Sequence, residues 1–488
     1  MTTLLWFRSD LRLADNPALA YAAASGEPVV PVFILDDQDC DAWAPGGASR
    51  WWLHGSLSAL DHDLRKLGSH GLILRRGPAQ DAIAALVAQT QAKAVVWNRR
   101  YEPWAVALDG RIKAGLRAKG IEARSFNATL LCEPSTFANL QGQPYKVFTP
   151  FWKSLRATVP VPTPIAAPAH MTPLAKSLAS DALASWALRP TRPDWAGGLN
   201  AHWTPGEAGA QARLQTFLDD GLLTYRERRN LPGQAGTSGL SPHLHFGEIG
   251  PWQVWRAAVT AASAQTGDPM TPGVETFLSE VAWREFSAHL LFHFPTLPTA
   301  PLRPQFERFP WRVDAKALSA WQKGLTGYPI VDAGMRQLWT TGWMHNRVRM
   351  IVASFLIKHL LLDWRDGEAW FWDTLVDADL ASNAASWQWV AGSGADAAPY
   401  FRIFNPITQG EKFDPDGAYV RRWVPELGRL SNGVIHAPWT ASAIELSAAQ
   451  VRLGQDYPRP IVDHFVARAR ALEALAHIKT DREQDVAR

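Results

Sequence analysis

The hydrophobic pattern of this chain changes period partway along, and that change restricts the possible folds more than any single residue does. Through residues 1–130, short apolar runs at Leu4–Arg8, Val29–Leu35, Leu72–Arg75 and Ala94–Trp97 alternate with helix-like stretches near 50–67, 78–91 and 104–119. Buried strands alternating with helices predict an α/β domain built on a doubly wound, mainly parallel sheet. Such sheets take ligands beyond the carboxyl ends of their strands, here near Ser9–Asp10, Asp36–Asp37 and Asn98–Arg100. No GxGxxG follows the first run, which argues against an NAD site.

Prolines at 160, 162, 164, 168, 173, 190, 193 and 205 then interrupt any period, so residues 131–205 are expected to link two domains. Beyond Gly206 apolar residues recur at three- and four-residue spacing over 207–220, 242–258, 271–293, 315–323, 330–341, 343–361, 367–376 and 460–476. The expected fold class is therefore an α/β domain over 1–130 followed by an all-α domain over 206–488.

Composition excludes several classes. With 47% hydrophobic and 19% charged residues the chain is an ordinary globular protein. Its net charge of +3 is spread evenly, so any nucleic-acid surface must be a local patch and not a basic arm. Cys40 and Cys132 form no metal motif and do not argue for an oxidising compartment, and no metal site is expected. No secretory leader opens the chain and no apolar run reaches a membrane span, so a cytoplasmic protein without a membrane partner is expected.

One residue type stands out. The chain carries 24 tryptophans against 8 tyrosines, and Trp311, Trp321, Trp339, Trp343, Trp364, Trp370, Trp372, Trp387 and Trp389 crowd one part of the helical region. A core built for packing alone draws more on Leu, Ile, Val and Phe, because indole is bulky and carries an N–H that needs a partner.

Four segments there combine chemistry-bearing residues. Thr237-Ser238-Gly239-Leu240-Ser241-Pro242 reads as a hydroxyl-rich loop entering a helix capped by Ser241, suited to an anion such as a diphosphate. Glu280, Trp283 and Arg284 share a helix face by their spacing, although a solvated Glu280–Arg284 ion pair explains two of them as well. Trp343, Asn346, Arg347 and Met350 form a mixed aromatic, amide, cation and thioether face. Asp377, Ala378, Asp379 and Asn383 lead into Trp387 and Trp389; without His or Cys at ligand spacing, solvated loop acids are the simplest account of the two carboxylates.

Together these segments resemble the photolyase and cryptochrome family of flavoproteins. The stretch Met335–Pro425 is similar to that of bacterial cyclobutane pyrimidine dimer photolyases, and the runs LLWFRSDLRLADNPAL, GWMHNRVRM, ASFLIKHLLLDWR and SWQWVAGSGADAAPYFRIFNPITQGEKFD carry the likeness, which extends over nearly all of residues 1–475.

The resemblance implies an FAD held in folded form by Tyr225, Thr237, Ser238, Gly239, Leu240, Ser241, Arg284, Trp343, Asn346, Asp377, Ala378, Asp379 and Asn383. Asn383 matches the residue facing the flavin's reactive nitrogen; plant cryptochromes carry Asp there and animal ones often Cys, so Asn favours repair. Glu280, Trp283, Asn346, Arg347, Met350, Trp389, Arg402 and Gln409 match positions touching ultraviolet-damaged DNA, whose dimer must be flipped out of the duplex. Arg226, Arg228, Arg229, Arg347 and Arg402 supply the implied local grip on phosphates. Trp387, Trp364 and Trp311 match the family's electron-transfer chain from flavin to surface, while Trp370 and Trp372 are expected to pack.

The family also implies a light-harvesting chromophore in domain 1–130, methenyltetrahydrofolate or a deazaflavin. Folate-binding relatives follow Tyr-Glu with an Asn-Glu pair, whereas this chain reads Tyr101-Glu102-Pro103-Trp104-Ala105; the runs WNRRYEP, RSFNATLLCEP and PYKVFTPFWK are closer to a subgroup that binds the folate differently. The implied activity is light-driven, monomeric repair of cyclobutane dimers in DNA. Three alternatives stand beside it: a cryptochrome photoreceptor, which commonly adds a longer tail; a (6-4) photolyase, which places a histidine pair where this chain runs to Met350; and a single-strand binding module using indoles as stacking platforms.

Overall fold

The computed structural model of the chain describes residues 1–396 and 401–486. Five strands, β1 (Thr3–Phe7), β2 (Val29–Leu35), β3 (Ile73–Arg76), β4 (Ala94–Asn98) and β5 (Glu122–Phe126), form one sheet in the order β3-β2-β1-β4-β5. All four pairings are parallel, with Leu4 opposite Val30 and Val95. Helices Pro17–Ala24, Gly47–Lys66, Ala79–Thr90 and Pro103–Ala118 make the crossovers. The expected doubly wound sheet is thus present, with its topological switch between β1 and β4.

Residue choice explains the strands. β1, β2 and β4 are buried at every position, as strands covered on both faces must be. Pro31 is tolerated inside β2 because pairing with β3 begins only at Val32. Trp6, Val32, Val95 and Trp97 belong to the core on one side of the sheet. β5 was not expected: it is an edge strand reading Glu-Ala-Arg-Ser-Phe, with only Ala123 buried, so no apolar run marks it.

Beyond Gly206 the chain is mainly helical, in agreement with the period change. Glu207–Asp220, Pro272–His293, Ala315–Gln322, Pro329–Thr341, Trp364–Thr374 and His464–Val486 lie where the spacing places helices. Two expected helices are divided. The stretch 242–258 becomes Ser241–His245 and Pro251–Thr266, broken where Gly247 adopts φ +66° and its backbone approaches Ser9 so closely that a Cβ would meet the Ser9 carbonyl oxygen at 2.0 Å. The stretch 343–361 becomes Asn346–Ser354 followed by a π-helical turn, Phe355–His359. Leu380–Ala391 is a helix that hydrophobic spacing did not reveal, since Ser382, Asn383 and Ser386 dilute its apolar face.

The Cα trace divides into two compact units that interleave along the sequence. The first comprises Met1–Leu223, Ser238–Pro295 and Val376–Ala381; the second comprises Thr224–Thr237, Thr296–Leu375 and Ser382–Arg488. Among the described residues no helix is long and apolar enough to cross a membrane, and no group of three or more His, Cys, Asp or Glu could hold a metal ion.

Candidate functional site

Within the first unit, polar residues crowd the carboxyl ends of β1 and β4. Arg8 pairs with Asp109 at 2.7 Å, and Trp97 donates to the same carboxylate at 2.8 Å. Asn98 donates to Asp10 at 2.6 Å and to Asn16 at 2.7 Å. This part of the crevice is filled by side chains that hydrogen-bond one another, with Arg8 Nε left without a partner among the described residues.

Beside it lies a pocket. Ser9 after β1, Arg100, Tyr101 and Glu102 after β4, and Thr129 and Leu130 after β5 form one side, with His245, Arg284 and Asp379 among the residues opposite. A pocket therefore stands at the topological switch, where the sheet order predicts a ligand. Burial disfavours ionisation of Glu102, yet the Arg100 guanidinium 2.5 Å away prevails and brings the carboxyl down to about 2. Burial lowers His245 against the opposing pull of Asp379, which keeps the imidazole neutral at physiological pH.

Arg284 is oriented from two sides. Its Nη1 donates to the Thr129 carbonyl at 2.6 Å and lies 3.3 Å from Glu285 Oε1. Burial raises Glu285 to about 7 despite that arginine, and its other oxygen accepts from Leu131 N at 2.6 Å. Sequence spacing grouped Arg284 with Glu280 and Trp283; its partner Glu285 was missed, and only its burial distinguishes it. Trp283 lies half-buried with Phe148 stacked on it, ring centroids 3.8 Å apart and planes 9° from parallel.

The hydroxyl-rich loop differs from expectation in register. Ser241 is itself the first helical residue, Leu240 is the cap, and the helix spans only Ser241–His245. A helix of that length has little dipole, so any anion affinity rests on loop hydroxyls and amides. Asp377 is buried and Asp379 lines the pocket; neither behaves as a solvated loop acid.

Within the second unit, two helices carry the central group. Asn383 and Trp387 lie one turn apart on Leu380–Ala391 and face Trp364–Thr374. The Asn383 side-chain amide donates to the Glu368 carbonyl at 3.0 Å. Gly367 is required there: a Cβ would fall 2.1 Å from Trp387 Cη2. Trp387 is buried and packs edge-on against Phe371 at 5.0 Å and Trp321 at 6.3 Å. Trp364 is also buried, with the Arg365 guanidinium 4.7 Å from its ring, whereas Trp311 is partly exposed and touches Phe309 at 4.3 Å.

Glu368 was not anticipated. Burial raises it to about 9, so the carboxyl is neutral at physiological pH, and its Oε1 has no hydrogen-bond partner among the described residues. The Trp387 indole N–H is likewise without a partner. Buried polar atoms left open beside an oriented amide mark a place where a polar ligand completes the hydrogen bonding, and the donor set fits a flavin nucleotide.

Arg347 and Met350 are brought together on Asn346–Ser354, with Nη1 3.6 Å from Sδ. Asn230, absent from the expected set, holds Arg347 by accepting from Nη2 at 2.9 Å, and the Phe413 ring lies 4.5 Å beneath the guanidinium. His345 caps this helix through Nδ1, and burial lowers it to about 4. Tyr225 is buried under Arg229, whereas Arg226, Asn346 and Arg402 are exposed and Thr237, Trp343 and Gln409 lie half-buried. Trp389 donates to the Asp396 carbonyl at 3.1 Å.

The family described as DNA photolyase matches residues 3–169, and that described as the FAD binding domain of DNA photolyase matches 277–477. The chain is 52% identical to deoxyribodipyrimidine photo-lyase of Agrobacterium fabrum, over 98% of each sequence. It is 41% identical to cryptochrome-1 of Arabidopsis thaliana over 98% of this chain and 70% of that protein. A crystal structure of a bacterial class III photolyase from Agrobacterium tumefaciens superposes with a TM-score of 0.94, at 52% identity and covering 98% of each chain. The chain belongs to the photolyase and cryptochrome family of flavoproteins, as its motifs implied.

Proposed function

We propose that these residues serve light-driven reversal of cyclobutane pyrimidine dimers in DNA. The chain is an enzyme of the deoxyribodipyrimidine photo-lyase kind, like its relative of 52% identity, and it carries the FAD-binding domain of that family. Reduced FAD, when bound and excited by light, supplies the electron that opens the cyclobutane ring and takes it back afterwards.

The residues then divide by task. Tyr225, the loop Thr237–Ser241 and Arg284 hold the diphosphate through amides, hydroxyls and one guanidinium, and Asp377, Ala378 and Asp379 accept hydrogen bonds from ribose or adenine. Trp343 and Asn346 lie against the cofactor, and Asn383 presents its amide to the flavin ring. Glu280 hydrogen-bonds the flipped pyrimidines and stabilises charge developing on them; Trp283 and Trp389 form aromatic walls. Arg226, Arg347, Met350, Arg402 and Gln409 contact the lesion or its backbone. Trp387, Trp364 and Trp311 pass electrons inward from the surface when the flavin is oxidised.

The observation that carries this reading is the fixed amide of Asn383, held by the Glu368 carbonyl beside two buried polar atoms without partners. Asn at this place supports repair over the cryptochrome reading, for which the 41% identity to a plant cryptochrome is the strongest point. Illuminating the reduced holoenzyme with dimer-containing oligonucleotide is expected to restore the absorbance of intact thymine; no recovery from protein with flavin bound overturns the reading. A second chromophore, methenyltetrahydrofolate or a deazaflavin, completes the proposal, with residues 1–130 as antenna domain, 131–205 as linker and 206–488 as catalytic domain of a cytoplasmic monomer. The spectrum of freshly purified protein separates the two, since folate adds a near-ultraviolet band and deazaflavin one nearer that of flavin.

A further inference from the structure

The stack on Trp283 has a consequence for recognition of damage. Phe148 opens the helix Phe148–Thr158, which packs on Pro272–His293, and it lies only 7% exposed with its ring parallel to the indole at 3.8 Å. Phe286, one turn beyond Trp283, meets the indole edge-on at 5.7 Å and Phe148 at 5.9 Å. Three rings thus brace one another. One indole face is covered by Phe148 and one edge by Phe286, so a base can stack only on the opposite face.

An aromatic wall helps a flipped base only if it stands ready. A free indole turns about two side-chain torsions and must be immobilised on binding, which weakens association by about 0.5–1.5 kcal/mol. A ring stacked in parallel on its rear face removes that freedom beforehand. Phe148 is itself held, because Phe286 also contacts Phe151 at 5.2 Å and Phe151 contacts His289 at 5.4 Å. The bracing therefore reaches back into an aromatic cluster between the two helices.

We infer that Phe148 is a positioning residue for damage recognition: it fixes Trp283 in the orientation that receives the flipped pyrimidine dimer and so sets discrimination between damaged and intact DNA. This inference rests on the repair reading and on Trp283 as a lesion wall.

The test measures dissociation constants of the flavin-loaded holoenzyme for an oligonucleotide with one thymine dimer and for the same oligonucleotide without it, together with repair rate at saturation. Phe148→Leu is expected to weaken dimer binding about 3–10-fold, the range that matches the cost of ordering one side chain. Binding to intact DNA, flavin content and saturating repair rate are expected to stay unchanged, and Phe148→Tyr, which keeps the stack, is expected to restore wild-type discrimination. Should Phe148→Leu fail to fold, Phe148→Met removes the aromatic face with a flexible side chain that adapts to the space left and reads the same way. Unchanged discrimination in a folded Leu or Met variant, or equal weakening for both oligonucleotides, overturns the positioning role. Wild-type protein that does not prefer the dimer overturns the repair reading itself, and so does preference without repair.

Discussion

The crown of the sheet and the helix pair around Asn383 treat buried polarity differently: of the six polar residues in the crown, Arg8 Nε is the one atom left unmet among the described residues. At the carboxyl ends of β1 and β4, Arg8, Asp10, Asn16, Trp97, Asn98 and Asp109 hydrogen-bond one another inside the protein. Between Trp364–Thr374 and Leu380–Ala391, the Glu368 carboxyl and the Trp387 N–H are buried with an oxygen and a nitrogen unmet among the described residues. A closed network holds a framework in one arrangement, because every member loses its partner if any moves. An open one costs stability and is retained where a ligand is to supply the missing bonds.

Breaking the closed network should give the largest effect. Asp109→Ala leaves Arg8 buried without its carboxylate and is expected to destabilise the fold by about 3–5 kcal/mol, read from chemical denaturation. A loss under about 1 kcal/mol would mean that the crown is not the rigid framework proposed. On the open side, Trp387→Phe keeps an aromatic ring while removing the electron donor. It is expected to slow photoreduction of oxidised flavin at least about tenfold, equivalent to about 1.4 kcal/mol of barrier, and to spare repair after chemical reduction. Unchanged photoreduction contradicts the electron-transfer role.

Glu368 sharpens the contrast through pH. Its carboxyl is raised from 4.5 to about 9, so the folded protein keeps a proton that the unfolded chain releases. Stability therefore falls as pH rises from 4.5 toward 9. Glu368→Gln removes that penalty, so its stability relative to wild type is expected to rise by up to about 1.4 kcal/mol per pH unit from 4.5 toward 9, with no gain near pH 4.5. A gain that does not depend on pH would assign it to packing.

Lys358 gives the same kind of effect with the opposite sign. It is buried on the π-helical turn, donates to the Arg402 carbonyl at 2.5 Å, and lies 4.3 Å from the Phe401 ring. Burial lowers it from 10.5 to about 7, so the unfolded chain binds the extra proton between those values and stability rises with pH across them. Lys358→Met is expected to gain most on wild type below pH 7, the gain shrinking by up to about 1.4 kcal/mol per pH unit between 7 and 10.5, less the lost hydrogen bond, as read from chemical denaturation across that range.

The parts of the fold legible in sequence were those with a strong local signal. Continuous apolar runs marked β1, β2 and β4 because both their faces are covered. β5 escaped because an edge strand with one buried residue has no pattern to show, and Leu380–Ala391 escaped because polar Asn383 sits on its inner face. The breaks near Gly247 and at Phe355–His359 follow from close backbone approach and from a shift of hydrogen bonding, neither of which leaves a periodic trace. The same limit applied to the site. Motifs marked Arg284, Arg347 and Asn383, but their partners Thr129, Asn230 and the Glu368 carbonyl lie 155, 117 and 15 residues away.

The sequence by itself determined the order of the sheet region and helical region, the family, and the residue types available for chemistry, because hydrophobic period and long motifs are local properties of the chain. Tertiary structure alone decided which groups meet and in what state of charge. Burial neutralises Glu368 and His245, Phe148 covers one face of Trp283, and Arg8 finds Asp109 across 101 residues, since desolvation and ring stacking depend on what folding brings close.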